Sequence, residues 1–310
     1  MKYSIIIPTY NRLDELKELI PSLIQMAQFE SCPPFELVIV DDGSTDGTEG
    51  YIESLVENIF PIHYFKQANQ GPGAARNLGM QKASGAYFIF VDSDCLIPED
   101  YLKKIHNFLA QNLVDAFGGP DTFHPSFSPL LKAINYSMTS FIGTGGTRGS
   151  QKSIGKFYPR SFNMGFHRKV FDQIGGFNTL RHGQDMDFSA RIYATGFSVA
   201  LVPDAFVYHK RRTSLKKFFK QIFNWGVARI NLSRLHPGFL KITHLAPAIL
   251  VFVLITMLLL VGLGQLDLYV LEGIGTLALI VMLIAFSQSF FMYRSVKISL
   301  LSIITLFTQV

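Results

Sequence analysis

Three short polar clusters carry most of the chemistry this sequence could perform. Asp92-Ser93-Asp94 sets two carboxylates one residue apart, directly after the apolar run YFIFV. Hard divalent cations take oxygen ligands, and Mg²⁺ usually keeps one or two carboxylates plus substrate phosphates. The pair is therefore a partial site for Mg²⁺ or Mn²⁺, with the rest left to a diphosphate. It also reads as a polar turn ahead of a helix near Pro98. The second cluster is Asp41-Asp42-Gly43-Ser44. Acids this close repel and stay ionised only beside cations or strong donors. One such carboxylate suits a nucleobase imide or a ribose hydroxyl, although DDGS is also good turn chemistry, with Gly43 free to take positive φ. The third cluster is Pro8-Thr9-Tyr10-Asn11. A glycine-rich run, GPGAARNLG from Gly71 to Gly79, opens a helix, but its last glycine comes too late for a dinucleotide fingerprint. Arg76 within it offers a fork of donors to phosphate or to the paired acids. Taken alone, Asp185 and Asp187 are acids in a first helical turn, where the dipole favours them.

Each of the three clusters follows a short apolar run. Ser4–Pro8, Glu36–Val40 and Ala86–Val91 are β-branched or aromatic on both faces, and helical stretches near Leu13–Gln28, Thr48–Glu57 and Ala74–Ala83 lie between them. That alternation predicts an α/β fold with a mostly parallel sheet and helices on both faces. Ligands of such sheets bind beyond the carboxyl ends of the strands, so the clusters are expected to line one crevice. Ala200–Tyr208 reads as a further strand leading to His209.

At 48% hydrophobic and 16% charged over 310 residues, the chain is too apolar to be disordered. Soluble domains carry about 25% charged residues, so the apolar excess must be concentrated somewhere. Two cysteines, Cys32 and Cys95, exclude a disulfide framework and a four-cysteine zinc site. The amino terminus opens on a strand-like run rather than a basic region and a long apolar core, so no secretory signal is expected. Residues 1–204 hold 17 Lys and Arg against 21 Asp and Glu, whereas residues 205–310 hold 11 against 2. The pI of about 9.1 thus comes from one basic tract beside the most apolar sequence, a membrane-surface pattern rather than a nucleic-acid one.

Ile242 to Leu266 contains no formal charge, and neither does Gly273–Tyr293. About 20 apolar residues span a bilayer as helix, so spans are expected at about 245–264 and 273–293. Ile298–Val310 is too short to cross; it either lies along the membrane or begins a longer span. Lys and Arg flank the pair of spans, while Asp267 and Glu272 sit between them. The positive-inside rule then puts the amino-terminal part in the cytosol of a multi-pass protein of the cell inner (cytoplasmic) membrane. Ser214–Leu235 has helical spacing, with Leu215, Phe218, Phe219, Ile222, Phe223, Trp225 and Ile230 gathered broadly to one side and lysines mostly elsewhere. A basic amphipathic helix at the headgroup layer fits this pattern; an ordinary helix packed on its own core is the alternative. The expected organisation is a domain over 1–210, an interface segment over 211–241 and a membrane region over 242–310.

Pro8–Asn11, Asp41–Ser44, GPGAARNLG and Asp92-Ser93-Asp94, in this order and spacing, resemble family 2 glycosyltransferases of the GT-A fold. Ser161–Phe177 looks like that family's region between donor and acceptor sites, and GQDMDFSAR from Gly183 to Arg191 resembles its G-E-D-x-D-x-x-x-R block. The resemblance covers about residues 3–210. It implies a Rossmann-like GT-A domain in which Pro8, Thr9, Tyr10, Asp41, Asp42, Arg76, Asp92 and Ser93 hold a nucleotide-diphosphate sugar, a UDP-sugar in the first place. Asp94 would ligate Mg²⁺ or Mn²⁺, with His209 as a further ligand. Asp185 would be the general base of an inverting transfer, while Gln184 stands where the family has glutamate. Asn163 and His167 would touch sugar or acceptor. Gln221 and Trp225 resemble part of a Q-x-x-R-W motif at the membrane face, with Asn224 in the arginine position. The implied enzyme moves a hexosyl or N-acetylhexosaminyl group to a lipid-linked or glycan hydroxyl in cell-envelope polysaccharide synthesis. Alternatives are transfer to polyprenyl phosphate, or an inactive nucleotide-sugar-binding scaffold in the membrane.

Overall fold

The computed structural model describes residues 2–55, 59–144, 156–240 and 242–309. In chain order it opens with β1 (Tyr3–Thr9), α1 (Leu13–Gln28), β2 (Phe35–Asp41), α2 (Thr48–Glu53), β3 (Ile62–Lys66), α3 (Pro72–Lys82) and β4 (Tyr87–Val91). Next come β5 (Cys95–Leu96), α4 (Tyr101–Gln111), β6 (Ala116–Gly118), β7 (Asp121–Thr122), α5 (Pro129–Thr139) and α6 (Phe141–Thr144). They are followed by β8 (Asn163–His167), α7 (Arg168–Ile174), α8 (Gln184–Ala194), β9 (Val199–Leu201) and β10 (Val207–His209). Four helices come last: α9 (Leu215–Leu235), α10 (Ile242–Gly262), α11 (Tyr269–Tyr293) and α12 (Val296–Gln309). The chain divides into two compact units, Met1–Ser126 with Gly146–Arg211, and Phe127–Gly145 with Arg212–Val310.

The first unit is mixed α/β around a mostly parallel sheet, ordered β3-β2-β1-β4-β8-β6-β9. β8 runs antiparallel to both its neighbours, β4 and β6. A small sheet, β5-β10-β7, stands beside it. Every residue of β1 and β2 is buried, because helices cover both faces. Alternate side chains point to opposite faces of a strand, and two cores result. Ile5, Ile7, Leu37 and Ile39 pack with Leu16, Leu19, Ile20 and Leu23 of α1. Ile6, Val38 and Val40 pack with Ala75 and Met80 of α3 and with Phe88, Phe90, Phe166 and Phe188. Gly79 lets α3 lie close on β1, since a Cβ there would run into Ile6.

Two local expectations change. The helix expected over Thr48–Glu57 is described as Thr48–Glu53, and residues 56 and 57 lie outside the described residues. Ala200–Tyr208 is not one strand. It divides into the end of β9, in the large sheet, and the start of β10, in the small one. Pro203, which has no N–H to give a ladder, sits in the turn closed by the Ala205 N–H on the Val202 carbonyl at 3.2 Å.

The second unit is helical. α10 and α11 are both long and apolar enough to cross a membrane. No described side chain of α10 is buried. Apolar all round and unburied, it has the composition of a helix that could cross a membrane. α12 turns a face of small hydroxyl residues inward: Ser302 meets Ser289 of α11 at 2.8 Å, and Thr305 donates to the Ala133 carbonyl of α5 at 3.0 Å. The single apolar side expected on α9 is divided. Phe218 is buried with Ile134 and Met138 of α5, and Ile222 packs against the same cluster. Phe219, Phe223 and Ile230 are exposed. Successive residues turn by about 100° on a helix, so Phe218 and Phe219 serve different surroundings.

Candidate active site

The polar loops at the carboxyl ends of β1, β2 and β4 are stitched together by backbone and side-chain hydrogen bonds. The Asp42 N–H donates to the Thr9 carbonyl at 2.8 Å. Asn11 takes positive φ (50°); its N–H donates to Ser44 Oγ at 2.8 Å, and its Oδ1 accepts from the Thr45 N–H at 2.9 Å. Pro8 and Thr9 are buried at the end of β1, the Thr9 hydroxyl without a hydrogen-bond partner, while Tyr10 is exposed.

The two acids of DDGS have different jobs. Asp41 Oδ1 accepts from the Ser44 N–H at 2.7 Å and Oδ2 from the Tyr64 hydroxyl at 2.6 Å, so it shapes its own turn. Burial and then Asp41 push the Tyr64 phenol above its usual range. Asp42 accepts from Gln67 Nε2 at 2.7 Å, from the Gln70 N–H at 2.9 Å and from the Gly71 N–H at 2.7 Å. It therefore ties the end of β2 to the start of α3.

α3 connects the remaining loops. Arg76 is buried and meets Asp92 Oδ1 at 2.6 Å, with its guanidinium 5.5 Å from the centre of the Phe177 ring. A Cβ on Gly73 would fall onto the side chain of Gln184, so the start of α8 lies against the start of α3. Gln184 Nε2 donates to the Asn178 carbonyl at 3.1 Å. Beside it, Asp185 Oδ1 accepts from the Met186 N–H at 2.9 Å and Oδ2 lies 3.4 Å from Arg160 Nη1. Asp187 is buried and paired with Arg191, whose other nitrogens hold the Ile174 and Gly176 carbonyls. Asp187 thus supports the loop before α8.

The small sheet brings His209 beside the DSD turn, with Cys95 and His209 paired across β5 and β10. His209 Nε2 lies 3.3 Å from Asp94 Oδ1, and Nδ1 lies 3.4 Å from Asp121 Oδ2. Burial alone would lower the imidazole pKa, but the Asp94 and Asp121 carboxylates outweigh it and lift it to about 9. Among the described residues, Asp94, Cys95 and His209 form a group able to share a cation, their ligand atoms within 4.8 Å of one another. Two neighbouring ligands of an octahedral ion at about 2.1 Å stand about 3 Å apart, so Asp94 Oδ1 and His209 Nε2 are spaced for a shared cation with little movement. Binding one would displace the proton that the two carboxylates otherwise hold on the imidazole. Cys95 fits poorly. Its thiol is buried, and burial followed by the nearby aspartates pushes its pKa well up, which disfavours the ligating thiolate.

Two expected residues stand at opposite ends of β8. Asn163 is buried with its amide fully engaged: Oδ1 accepts from the Tyr101 hydroxyl at 2.7 Å, and Nδ2 donates to the Ala205 carbonyl at 2.8 Å and the Pro120 carbonyl at 3.2 Å. From this buried position it braces the fold. His167 pairs with Tyr87 at the start of β4, the end of that strand opposite Asp92. β8 runs backwards, so four residues of strand, at about 3.3 Å each, carry His167 away from the polar loops. There it caps α7, its Nδ1 accepting from the Lys169 N–H. Gln221 and Trp225 belong to α9 in the second unit.

Other contributors escape a reading of the sequence. Tyr64 and Gln67 sit in β3 and the loop after it, and Asp121, Arg211 and Arg160 belong to no block. Arg12, beside the Pro8–Asn11 cluster, was the most accessible to such a reading. Burial pulls its pKa down, but Asp94, Glu15 and Asp92 outweigh that and raise it, marking a cation in the field of the DSD acids.

The family model described as glycosyl transferase family 2 matches residues 4–175. The chain belongs to that family. The GT-A fold follows from its family and from its structural neighbours. It spans 18–42% of the length of the first three curated relatives it matches. It is 27% identical to the O-antigen chain rhamnosyltransferase RfbN of Salmonella typhimurium, covering 73% of this chain and 72% of that one. Among solved structures, Staphylococcus aureus TarS 1–349 in complex with UDP-GlcNAc is 24% identical, with TM-score 0.52 over 74% of this chain and 67% of that one. The mannosyltransferase PcManGT from Pyrobaculum calidifontis, in complex with GDP-Man and Mn²⁺, is 18% identical, with TM-score 0.68 over 99% of this chain and 87% of that one. These two similarities concern the fold.

Proposed function

We propose that the protein is a membrane-anchored, metal-dependent, inverting glycosyltransferase that moves a hexosyl or N-acetylhexosaminyl group from a nucleotide-diphosphate sugar to a hydroxyl. One arrangement supports this above all. α3 links Asp42 through Gly71, Asp92 through Arg76, and the turn carrying Asp185 through Gly73 and Gln184, so three acidic loops surround one helix start.

Pro8, Thr9, Tyr10 and the Asp41–Asp42 turn lie on the nucleoside side, and Arg76, Asp92 and Ser93 on the ribose and diphosphate side. Asp94 and His209 would hold Mg²⁺ or Mn²⁺. The cation supplies neutralisation of the charge that develops on the departing diphosphate. An acceptor hydroxyl attacks the anomeric carbon from the face opposite that leaving group. The new C–O bond forms as the carbon–phosphate-oxygen bond breaks and the diphosphate leaves with its electron pair. The hydroxyl proton passes to Asp185. A carboxylate is a weak base for an alcohol, so transfer belongs late in the attack. Arg160 and the Met186 N–H hold that carboxylate in place.

The donor is a nucleoside-diphosphate sugar, in the first place a UDP-sugar. The UDP-GlcNAc and GDP-Man complexes of TarS and PcManGT support the class. α10 and α11 as membrane spans, with the basic tract from Lys210 to Lys241 against anionic lipid, keep the catalytic unit at the cytosolic side of the cytoplasmic membrane. That setting favours a lipid-linked or glycan acceptor of the cell envelope, and the tract meets lipid rather than nucleic acid.

The test is Asp185→Asn in the full-length protein, with UDP-, GDP- and dTDP-sugars screened for metal-dependent protection against thermal unfolding. Turnover falls 10²–10⁴-fold while donor protection persists. A near-normal rate would overturn the assignment of the base.

A further inference from the structure

The buried charges behind His209 have no part in the transfer chemistry above. Asp121 opens β7, beside β10, with Val207 paired to Asp121 and Tyr208 to Thr122. Its Oδ2 faces His209 Nδ1 at 3.4 Å and Arg211 Nη2 at 2.5 Å. Asp121 and Arg211 are only 5% and 8% exposed. The Phe162 ring lies over the imidazole, centres 4.9 Å apart. His209 is thereby held between two carboxylates, with Nδ1 toward Asp121 and Nε2 toward Asp94.

We propose that Asp121, itself anchored by Arg211, is a positioning residue for the cation site: it accepts from His209 Nδ1–H and presents the Nε2 lone pair beside Asp94. This rests on the proposed metal-dependent transfer and assigns it an outer sphere. A ligating imidazole commonly donates its second N–H to a carboxylate, which fixes the tautomer and raises ligand basicity. Here the carboxylate would otherwise be a buried charge next to a second acid. Arg211 neutralises it without competing for the cation, because guanidinium has no lone pair to offer. The consequence is selectivity. Imidazole suits Mn²⁺ better than Mg²⁺, so a well-oriented His209 biases the site toward Mn²⁺, and losing that orientation narrows the difference.

Mn²⁺ binding to the full-length protein, followed by electron paramagnetic resonance, tests this. Wild type should show pulsed-EPR coupling to one imidazole nitrogen, abolished by His209→Gln. Asp121→Asn should weaken Mn²⁺ binding 10–100-fold, diminish the nitrogen coupling and leave Mg²⁺ affinity less affected. Asp121→Leu combined with Arg211→Met removes the buried pair together, a replacement cores often tolerate, and should act in the same way. Wild-type affinity and nitrogen coupling in either Asp121 variant, with an unchanged melting temperature, would overturn the assignment, as would the lack of nitrogen coupling in wild type. Metal-dependent donor turnover, measured separately, would still stand in those cases and reports on the glycosyltransferase itself.

Discussion

Arg76 and Asp92 form a 2.6 Å ion pair that fastens the middle of α3 to the turn holding Asp94. The cation is buried and also stacks on Phe177. Lysine supplies the charge but neither the planar fork nor the stack. Arg76→Lys should therefore lower stability by about 1–3 kcal/mol and raise the KM for donor more than it lowers kcat. Denaturant melts and initial-rate kinetics read the two effects.

Asn163 and His167 stand at opposite ends of one strand. Asn163→Ala leaves the Tyr101 hydroxyl and the Ala205 and Pro120 carbonyls without their partner. We expect a stability loss of about 2–4 kcal/mol with donor KM unchanged in the folded fraction. His167→Ala, at the far end of the strand, should keep activity within about twofold and stability within about 0.5 kcal/mol. A large loss of turnover in His167→Ala would place the acceptor on the wrong side of the sheet.

Glu36 gives the first unit an acid-sensitive clasp. Its Oε1 accepts from Ser4 Oγ and the Ser84 N–H, each at 2.5 Å, and from the Gly85 N–H at 3.2 Å. Burial pushes the carboxyl up, but these donors outweigh it and hold its pKa below the ordinary value. A carboxyl lowered on folding stabilises above its unfolded pKa, about 4.3, and loses that contribution as pH falls through the folded value. Glu36→Gln should cost about 1–3 kcal/mol near neutral pH. The gap from wild type should close below about pH 4, as thermal unfolding at pH 7 and at acid pH would show.

Phe218 and Phe219, neighbours on α9, should behave oppositely. Phe218→Ala empties the contact with Ile134 and Met138 and should cost about 3–5 kcal/mol, whereas Phe219→Ala should change folding by less than about 0.5 kcal/mol. Thermal melts of the two variants under one condition make the comparison. Equal effects would mean that α9 does not pack on α5 as described.

What the sequence determined is local. The strands that end in Asp41, Asp92 and the Pro8–Asn11 loop are legible because apolar runs on both faces, broken by polar ends, need no partner to be recognised. The match of α1 over Leu13–Gln28 comes from the same kind of signal, a 3.6-residue apolar stripe. The acid clusters and the two long apolar helices follow from residue type and spacing, whereas the expectation that Asp94 and His209 share a cation comes from the family resemblance. Tertiary structure alone decided which oxygen of each acid is already occupied. It also decided that reversed β8 carries His167 away from the loops, that α9 serves two surroundings, and that Asp121 stands behind His209. These depend on register and on buried polar groups finding partners far along the chain. A buried acid is held wherever packing delivers a donor, and no periodicity in the neighbouring residues records where that will be.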